Sequence, residues 1–127
     1  MNIDLESAFI NEYVVKNKRQ RYLDFIKSPK RRKTFLEMLY HGKDLDKGKL
    51  KPLIGHSETE IAKRIEGSQI TSCYIISVNS ALDGRQMPVK DALAEIVAYT
   101  EAIVLIFGQC EFIYYLGEAP YNEYLSL

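Results

Sequence analysis

The fold is decided by the stretch AIVLIFGQCEFIYYL, which occupies residues 102–116. Two apolar runs, residues 102–107 and 110–116, flank the pair Gly108-Gln109. Runs rich in β-branched and aromatic side chains are typical of strands, and a two-residue loop with glycine first favours a type II′ turn. The sequence therefore predicts a β-hairpin in this part of the chain.

Further strands and one helix are predicted around the hairpin. Residues 72–78 (SCYIISV) have the composition of a strand, and residues 122–127 can add a short last strand. Pro88 starts a helix between the first strand and the hairpin, because proline fits the first turn of a helix. The apolar face of this helix consists of Val89, Ala92, Leu93, Ile96 and Val97. The C-terminal half is thus predicted as β-α-β-β-β.

The chain before residue 70 is predicted to be mostly helical. Apolar residues recur at three- and four-residue spacing over residues 5–13 and 22–26, which fits one long helix or two short ones. Asn2 or Asp4 can supply the N-cap of the first helix.

Two more helices and a loop follow in this half. A helix is predicted over residues 29–40, ended by Gly42, because proline favours a helix start and glycine a helix end. Residues 43–53 contain charges, glycine and proline without periodicity, which predicts a connecting loop. Ser57 followed by Glu60 predicts a capping box and a short helix.

Together these elements predict one α+β domain over residues 1–127. Its helical part, about residues 3–66, packs with a small mixed or antiparallel sheet formed by about residues 70–127. The length suffices for one hydrophobic core, and the composition, 46% hydrophobic and 27% charged, is that of a globular protein.

The composition also predicts a compartment. The first residues lack the basic start and apolar run of a signal peptide, and no apolar stretch approaches the roughly 20 residues of a membrane helix. Cys73 and Cys110 are too few for a disulfide scaffold, and both fall in predicted strands. We expect a cytoplasmic, reduced protein without a membrane partner.

Charge is distributed unevenly along the chain. Residues 1–53 hold 13 Lys and Arg against 7 Asp and Glu, or +6, whereas residues 54–127 hold 4 against 10, or −6. Nine of the eighteen residues from Lys16 to Lys33 are basic, and Asp24 is the one acid among them. Like charges this close repel one another unless solvent, salt or an anionic partner offsets them.

This basic segment is the first candidate site. Residues 30–33 lie at a predicted helix start, where cations are unfavourable by about 0.3–1 kcal/mol each and backbone N–H groups favour anions. The predicted anion-binding residues are Lys18, Arg19, Arg21, Lys30, Arg31, Arg32 and Lys33. Two alternatives stay open, pairing with acidic residues of the same or another copy and a solvated face without a role.

The second candidate is the loop that follows the strand at residues 72–78. Its polar side chains are Ser77, Asn79, Ser80, Asp83 and Arg85. Binding residues often lie on such loops, because a rigid scaffold holds them in place. Asp83-Gly84 is also a common turn pair, and the plain turn is the favoured interpretation.

Other chemistry finds little support in the sequence. The spacing of His41 and His56 and their neighbouring acids matches no metal motif, so we expect no metal site and no cofactor. Ser in a Gly-x-Ser-x-Gly elbow and phosphate-cradling glycine loops are absent from the sequence. A small enzyme that uses residues 77–85 with one of the histidines is therefore the least favoured hypothesis.

Three motifs link the chain to other proteins. They are the basic start Lys18-Arg19-Gln20-Arg21, the loop SVNSALDG at residues 77–84 and the end YYLGE at residues 114–118. In these motifs the chain resembles a group of small uncharacterised bacterial proteins. The group has no established activity, so the resemblance implies no catalytic residue.

The leading functional hypothesis is a binding module whose basic helical face engages an anionic partner, which can be nucleic acid or an acidic protein surface. The alternative is a protein interaction or homo-oligomerisation domain that pairs its basic half with an acidic half. The sequence pI near 6.7 favours this alternative, since nucleic-acid-binding domains are usually basic.

Overall fold

A computed structural model of the chain describes residues 1–97, 102–118 and 123–127. These residues form five α-helices: α1 Ile3–Tyr13, α2 Arg19–Ile26, α3 Arg32–His41, α4 Ser57–Ile65 and α5 Val89–Glu95. They also form six strands: β1 Leu50–Pro52, β2 Ser72–Ile76, β3 Gln86–Pro88, β4 Val104–Phe107, β5 Phe112–Leu116 and β6 Glu123–Ser126. The predicted α+β class is confirmed.

The strands form one antiparallel sheet in the order β1-β6-β5-β4-β2-β3. The predicted hairpin is its centre, where β4 and β5 pair with Leu105 opposite Tyr114. The predicted last strand is present as β6, and residue 122 of that prediction lies outside the described residues.

Helices cover both faces of the sheet. The face packed against α1, α2 and α3 carries Tyr74, Ile76, Val104, Ile106, Ile113 and Tyr115. The face packed with α4 and α5 carries Cys73, Ile75, Leu105, Phe107, Phe112 and Tyr114. Successive strand residues point to opposite faces, so a strand covered on both sides is apolar at every position. This explains the unbroken apolar runs that identified the hairpin.

The apolar pattern at the N-terminus corresponds to two helices. The Asn2 side chain accepts a hydrogen bond from the Leu5 N–H and caps α1. Val14 ends α1 in an extended conformation, and a 3₁₀ turn, Lys16–Lys18, leads into α2. The third helix begins after another 3₁₀ turn, Pro29–Arg31, and ends at Gly42 as predicted, with φ 70°.

The hairpin loop is longer than predicted. The strands close at Phe107 opposite Phe112, so four residues, 108–111, connect them instead of two. Both Gly108 and Cys110 have positive φ, 62° and 72°. Cys110 therefore lies in the turn, and its predicted place in a strand is wrong.

Three other local predictions are wrong. The predicted connecting loop at residues 43–53 contains the strand β1, which pairs with β6. The strand β3 lies where the sequence predicts a loop and the start of a helix. Ser57 does not cap α4, because its hydroxyl donates to Glu123 at 2.9 Å and the preceding residue, His56, occupies the cap position.

Both cysteines are free thiols. Burial raises the pKa of Cys73 to about 12. Burial, with the charges of Glu12 and Glu111, raises the pKa of Cys110 to about 11. Both groups are therefore protonated and weakly nucleophilic at neutral pH.

Within the described ranges, no helix has both the length and the apolar character that crossing a membrane requires.

Candidate anion-binding site

The predicted basic residues separate into three groups in the structure. Lys18 and Arg21 line a cleft beside α2. Lys30, Arg31 and Lys33 are exposed at the start of α3. The remaining two have structural contacts. Arg19 donates from Nε to the Val14 carbonyl at 2.9 Å, and Arg32 forms ion pairs with two carboxylates.

Arg32 is held by two carboxylates. Its Nη1 and Nη2 donate to the Glu6 carboxylate at 2.6 and 2.9 Å, while its Nε and Nη2 donate to the Asp83 carboxylate, both at 2.8 Å. Glu6 is completely buried, with 0% exposure, and Tyr74 donates a further hydrogen bond to it at 2.6 Å. Four of the five N–H groups of the guanidinium are thus bound, and two carboxylates already offset its charge.

This network shows how two sequence features are connected. Burial lowers the pKa of Arg32, but hydrogen bonds and charges from Asp83 and Glu6 outweigh burial and raise it. The basic segment and the polar loop after β2 thus meet at a salt bridge. Partial pairing of the basic segment with the acidic half, one of the open alternatives, occurs at Arg32.

The loop at residues 77–85 is a hydrogen-bonded turn. The Ser77 hydroxyl accepts from the Asn79 N–H at 3.0 Å, and the Asn79 side chain accepts from the Ala81 N–H at 2.9 Å. Asp83 also accepts from the Ser77 N–H at 3.1 Å, and Arg85 donates to the Ala81 carbonyl at 3.4 Å. These local bonds are those expected of a turn.

Ser80, the last of the predicted loop residues, is exposed. Asn79 and Arg85 are exposed as well, but both are hydrogen-bonded to the backbone of Ala81 within the turn.

The cleft beside α2 collects basic side chains from two parts of the chain. Its volume is about 230 Å³, and it is lined by Lys18, Arg21, Met38, His41, Lys43 and Asp44. Lys18 and Arg21 come from the predicted basic segment, whereas the other four come from α3 and the residues that follow it.

Backbone contacts hold these two parts together. Val14 and Leu45 form an isolated antiparallel bridge. Next to it, the Val15 N–H donates to the Asp44 carbonyl at 2.8 Å, and the Asp46 N–H donates to the Tyr13 carbonyl at 2.7 Å. The bridge places residues 43–44 beside the start of α2.

The C-terminal end of α3, which contributes Met38 and His41 to the cleft, is held in place by Tyr115 and Glu118. The Tyr115 hydroxyl donates to the carbonyls of Leu39 and Tyr40 at 2.5 and 3.2 Å. The Glu118 N–H also donates to the Tyr40 carbonyl at 2.9 Å, and the Glu118 carboxylate contacts His41 Nδ1 at 3.0 Å. These contacts satisfy helix-end carbonyls that would otherwise repel an anion near the cleft.

The lining carries a net positive charge. In the described part of the chain, no carboxylate forms an ion pair with Lys18, Arg21 or Lys43. Asp44 is the acidic residue of the lining, and its Oδ2 accepts a hydrogen bond from the buried Tyr22 hydroxyl at 2.8 Å. Burial and this carboxylate raise the pKa of Tyr22, so the phenol stays protonated and keeps Asp44 in place.

Metal and enzyme chemistry gain no support from the geometry. Among residues 1–97, 102–118 and 123–127, no group of His, Cys, Asp and Glu side chains is arranged to hold a metal ion. His41 contacts Glu118, and both oxygens of Asp83 are bound by Arg32. The enzyme hypothesis requires a histidine paired with a side chain of the loop. These contacts pair His41 and Asp83 with other residues.

Two residues of the cleft lining, His41 and Lys43, are not among the predicted anion-binding residues. The sequence suggests His41 only as a metal ligand or as the histidine of a small enzyme, and it places Lys43 in a connecting loop. Neither residue lies in the dense basic run, and the backbone bridge that brings them to Lys18 and Arg21 joins segments about 30 residues apart. No local sequence pattern marks such a bridge.

Comparisons of the chain with protein-family models, with curated protein sequences and with solved structures found no match. The resemblance to small bacterial proteins therefore stays a prediction.

Proposed function

We propose that this protein is a cytoplasmic binding module that engages nucleic acid through basic side chains of residues 16–33 and the adjacent cleft. The single observation that carries the proposal is the absence of internal partners for this charge. Within the described residues, Arg32 is the one basic side chain of the segment that forms an ion pair. Of the other eight, Arg19 donates to the Val14 carbonyl, and the remaining seven are available for phosphate contacts.

The placement of these residues also supports a binding role. Lys27, Lys30, Arg31 and Lys33 are exposed between the end of α2 and the first turn of α3. Clustered cations without counter-charges destabilise a surface, and an anionic ligand removes this repulsion. Arginine and lysine contacts to phosphate give affinity without sequence specificity, so we expect binding to depend strongly on salt.

The first prediction concerns two exposed lysines of this face. The double variant Lys30→Ala/Lys33→Ala is expected to bind labelled single-stranded DNA and RNA more weakly than the native protein. The slope of log K against log salt should become shallower by about one for each lysine, since each releases about one counterion fewer. Fluorescence polarisation between about 50 and 200 mM salt measures both quantities.

A matched control is available on the other side of the sheet. Lys63 on α4 and Lys90 on α5 are also exposed, so Lys63→Ala/Lys90→Ala removes the same charge from a different surface. This control should retain native affinity and slope. Equal losses in both double variants would show a response to net charge alone, and absence of binding by the native protein at about 50 mM salt would exclude nucleic acid as the partner.

Self-association is the second candidate function. The observation that favours it is the exposure of Glu58, Glu66 and Glu95 on or next to α4 and α5, across the sheet from the basic helices. A second copy could pair this acidic side with the basic face. Sedimentation of the protein alone across the same salt series decides between the two candidates. Nucleic acid binding needs no change in the size of the protein, whereas self-association gives a dimer that dissociates as salt rises.

A further inference from the structure

We propose that the cleft lined by Lys18, Arg21, His41 and Lys43 binds a terminal phosphate group, that is, a phosphomonoester dianion. This inference rests on the proposed function and adds a specific ligand group to it. The exposed lysines at the start of α3 would contact the diester backbone, while the cleft receives the end of the strand.

The size of the cleft favours a small group. Its volume of about 230 Å³ lies below the roughly 300–1,000 Å³ of pockets that enclose drug-sized ligands. A phosphate group with part of its sugar can enter such a space, whereas an entire nucleotide would remain mostly outside. The cleft therefore recognises the phosphate and not the base.

The charge of the lining favours a dianion. Lys18, Arg21 and Lys43 contribute three positive charges and Asp44 one negative charge, so the net charge is +2 without counting His41. A phosphomonoester carries a charge of about −1.5 to −2 at neutral pH, because its second pKa is near 6. A diester within a strand carries a single negative charge. The lining thus matches the terminal group better than an internal linkage.

The donors suit phosphate oxygens. The Arg21 guanidinium presents a planar fork that can bind two oxygens at once, and the two lysines supply mobile ammonium groups. His41 Nδ1 already contacts Glu118 at 3.0 Å, so its Nε2 is the ring nitrogen that remains for a ligand.

The cleft is also built before any ligand arrives. The bridge between Val14 and Leu45 and the hydrogen bond from Tyr22 to Asp44 fix the backbone and the one carboxylate of the lining. A fixed backbone reduces the ordering cost of binding. Only the ends of the lysine and arginine side chains need to become ordered around the phosphate.

The test compares two oligonucleotides of one sequence, both labelled at the 3′ end, with either a 5′-phosphate or a 5′-hydroxyl. We expect the phosphorylated oligonucleotide to bind the native protein about tenfold more tightly in fluorescence polarisation. The variant Arg21→Gln/Lys43→Gln should bind both equally. The matched variant Lys30→Gln/Lys33→Gln should bind both more weakly and keep the tenfold ratio.

A second measurement locates the site and separates the two proposals. Inorganic phosphate is titrated into ¹⁵N-labelled native protein, and saturable shifts are expected for the amides of Gly42, Lys43 and Asp44. Equal binding of both oligonucleotides, with no such shifts, would overturn the cleft and leave the proposed function standing. If neither oligonucleotide binds but phosphate shifts these amides, the proposed function fails and the cleft serves a small phosphorylated molecule. If neither effect is seen, both proposals are overturned.

Discussion

Replacement of Arg32 by methionine is expected to lower the free energy of unfolding by about 3–5 kcal/mol. The guanidinium lies between the carboxylates of Glu6 and Asp83, with contacts of 2.6–2.9 Å. Without it, two negative charges remain close together, one of them completely buried. An unpaired buried charge costs far more than the intact pair contributes, so the loss is a large fraction of the roughly 5–15 kcal/mol available to a domain.

Urea unfolding measures this effect, and a nearby lysine provides the control. Lys33 follows Arg32 in the same helix but is exposed. Lys33→Met should therefore change the free energy of unfolding by no more than about 0.5 kcal/mol. A loss below about 1 kcal/mol in Arg32→Met would show that the guanidinium is not needed to stabilise the carboxylates of Glu6 and Asp83. The ion pairs would then not be what joins α3 to the loop after β2.

The fold was predictable where the residues needed for an element are neighbours in the sequence. The hairpin, β2 and α5 were found because strands buried on both faces are apolar throughout and a helix start favours proline. The strands β1 and β3 were missed because each has three residues, ends in proline and lies at an edge of the sheet. Such edge strands carry charges and proline that discourage pairing with other chains, so their composition resembles that of a loop.

The site was only half predictable, and for a different reason. The run of charges identified Lys18 and Arg21 as candidates, and both line the cleft. The same run also includes Arg32, whose two partners lie 26 and 51 residues away in the sequence. Which cation meets a carboxylate and which stays unpaired is decided by the packing of α1 and α3 against the sheet. A one-dimensional charge count carries no information on that packing.

Replacement of Gly42 by alanine is expected to destabilise the protein by about 2–5 kcal/mol, the sum of two effects. Gly42 has φ +70°, a conformation that costs an alanine about 1–2 kcal/mol. A Cβ atom would also lie 2.5 Å from the Tyr115 hydroxyl oxygen. That hydroxyl is held by the Leu39 and Tyr40 carbonyls, so the ring cannot move aside cheaply, and overpacking adds about 1–3 kcal/mol.

Gly55 separates the two effects. It has φ +73°, but a Cβ atom there would meet nothing within 4 Å, so Gly55→Ala should show only the backbone cost of about 1–2 kcal/mol.

The cleft offers a second readout, because the residue after Gly42 is Lys43. We expect Gly42→Ala, and not Gly55→Ala, to abolish the preference for a 5′-phosphate in the fraction of protein that remains folded.

A double-mutant cycle with Tyr115→Phe tests the clash directly. Phenylalanine removes the oxygen at 2.5 Å and leaves the ring carbon Cζ at 3.4 Å, an ordinary contact. Tyr115→Phe alone should cost about 1–3 kcal/mol, because the Leu39 carbonyl loses its donor from the hydroxyl. In that background Gly42→Ala should cost no more than Gly55→Ala, which gives a coupling energy of about 1–3 kcal/mol. Strictly additive losses would mean that backbone strain alone accounts for the glycine, and that the contact between Tyr115 and the end of α3 does not set the shape of the cleft.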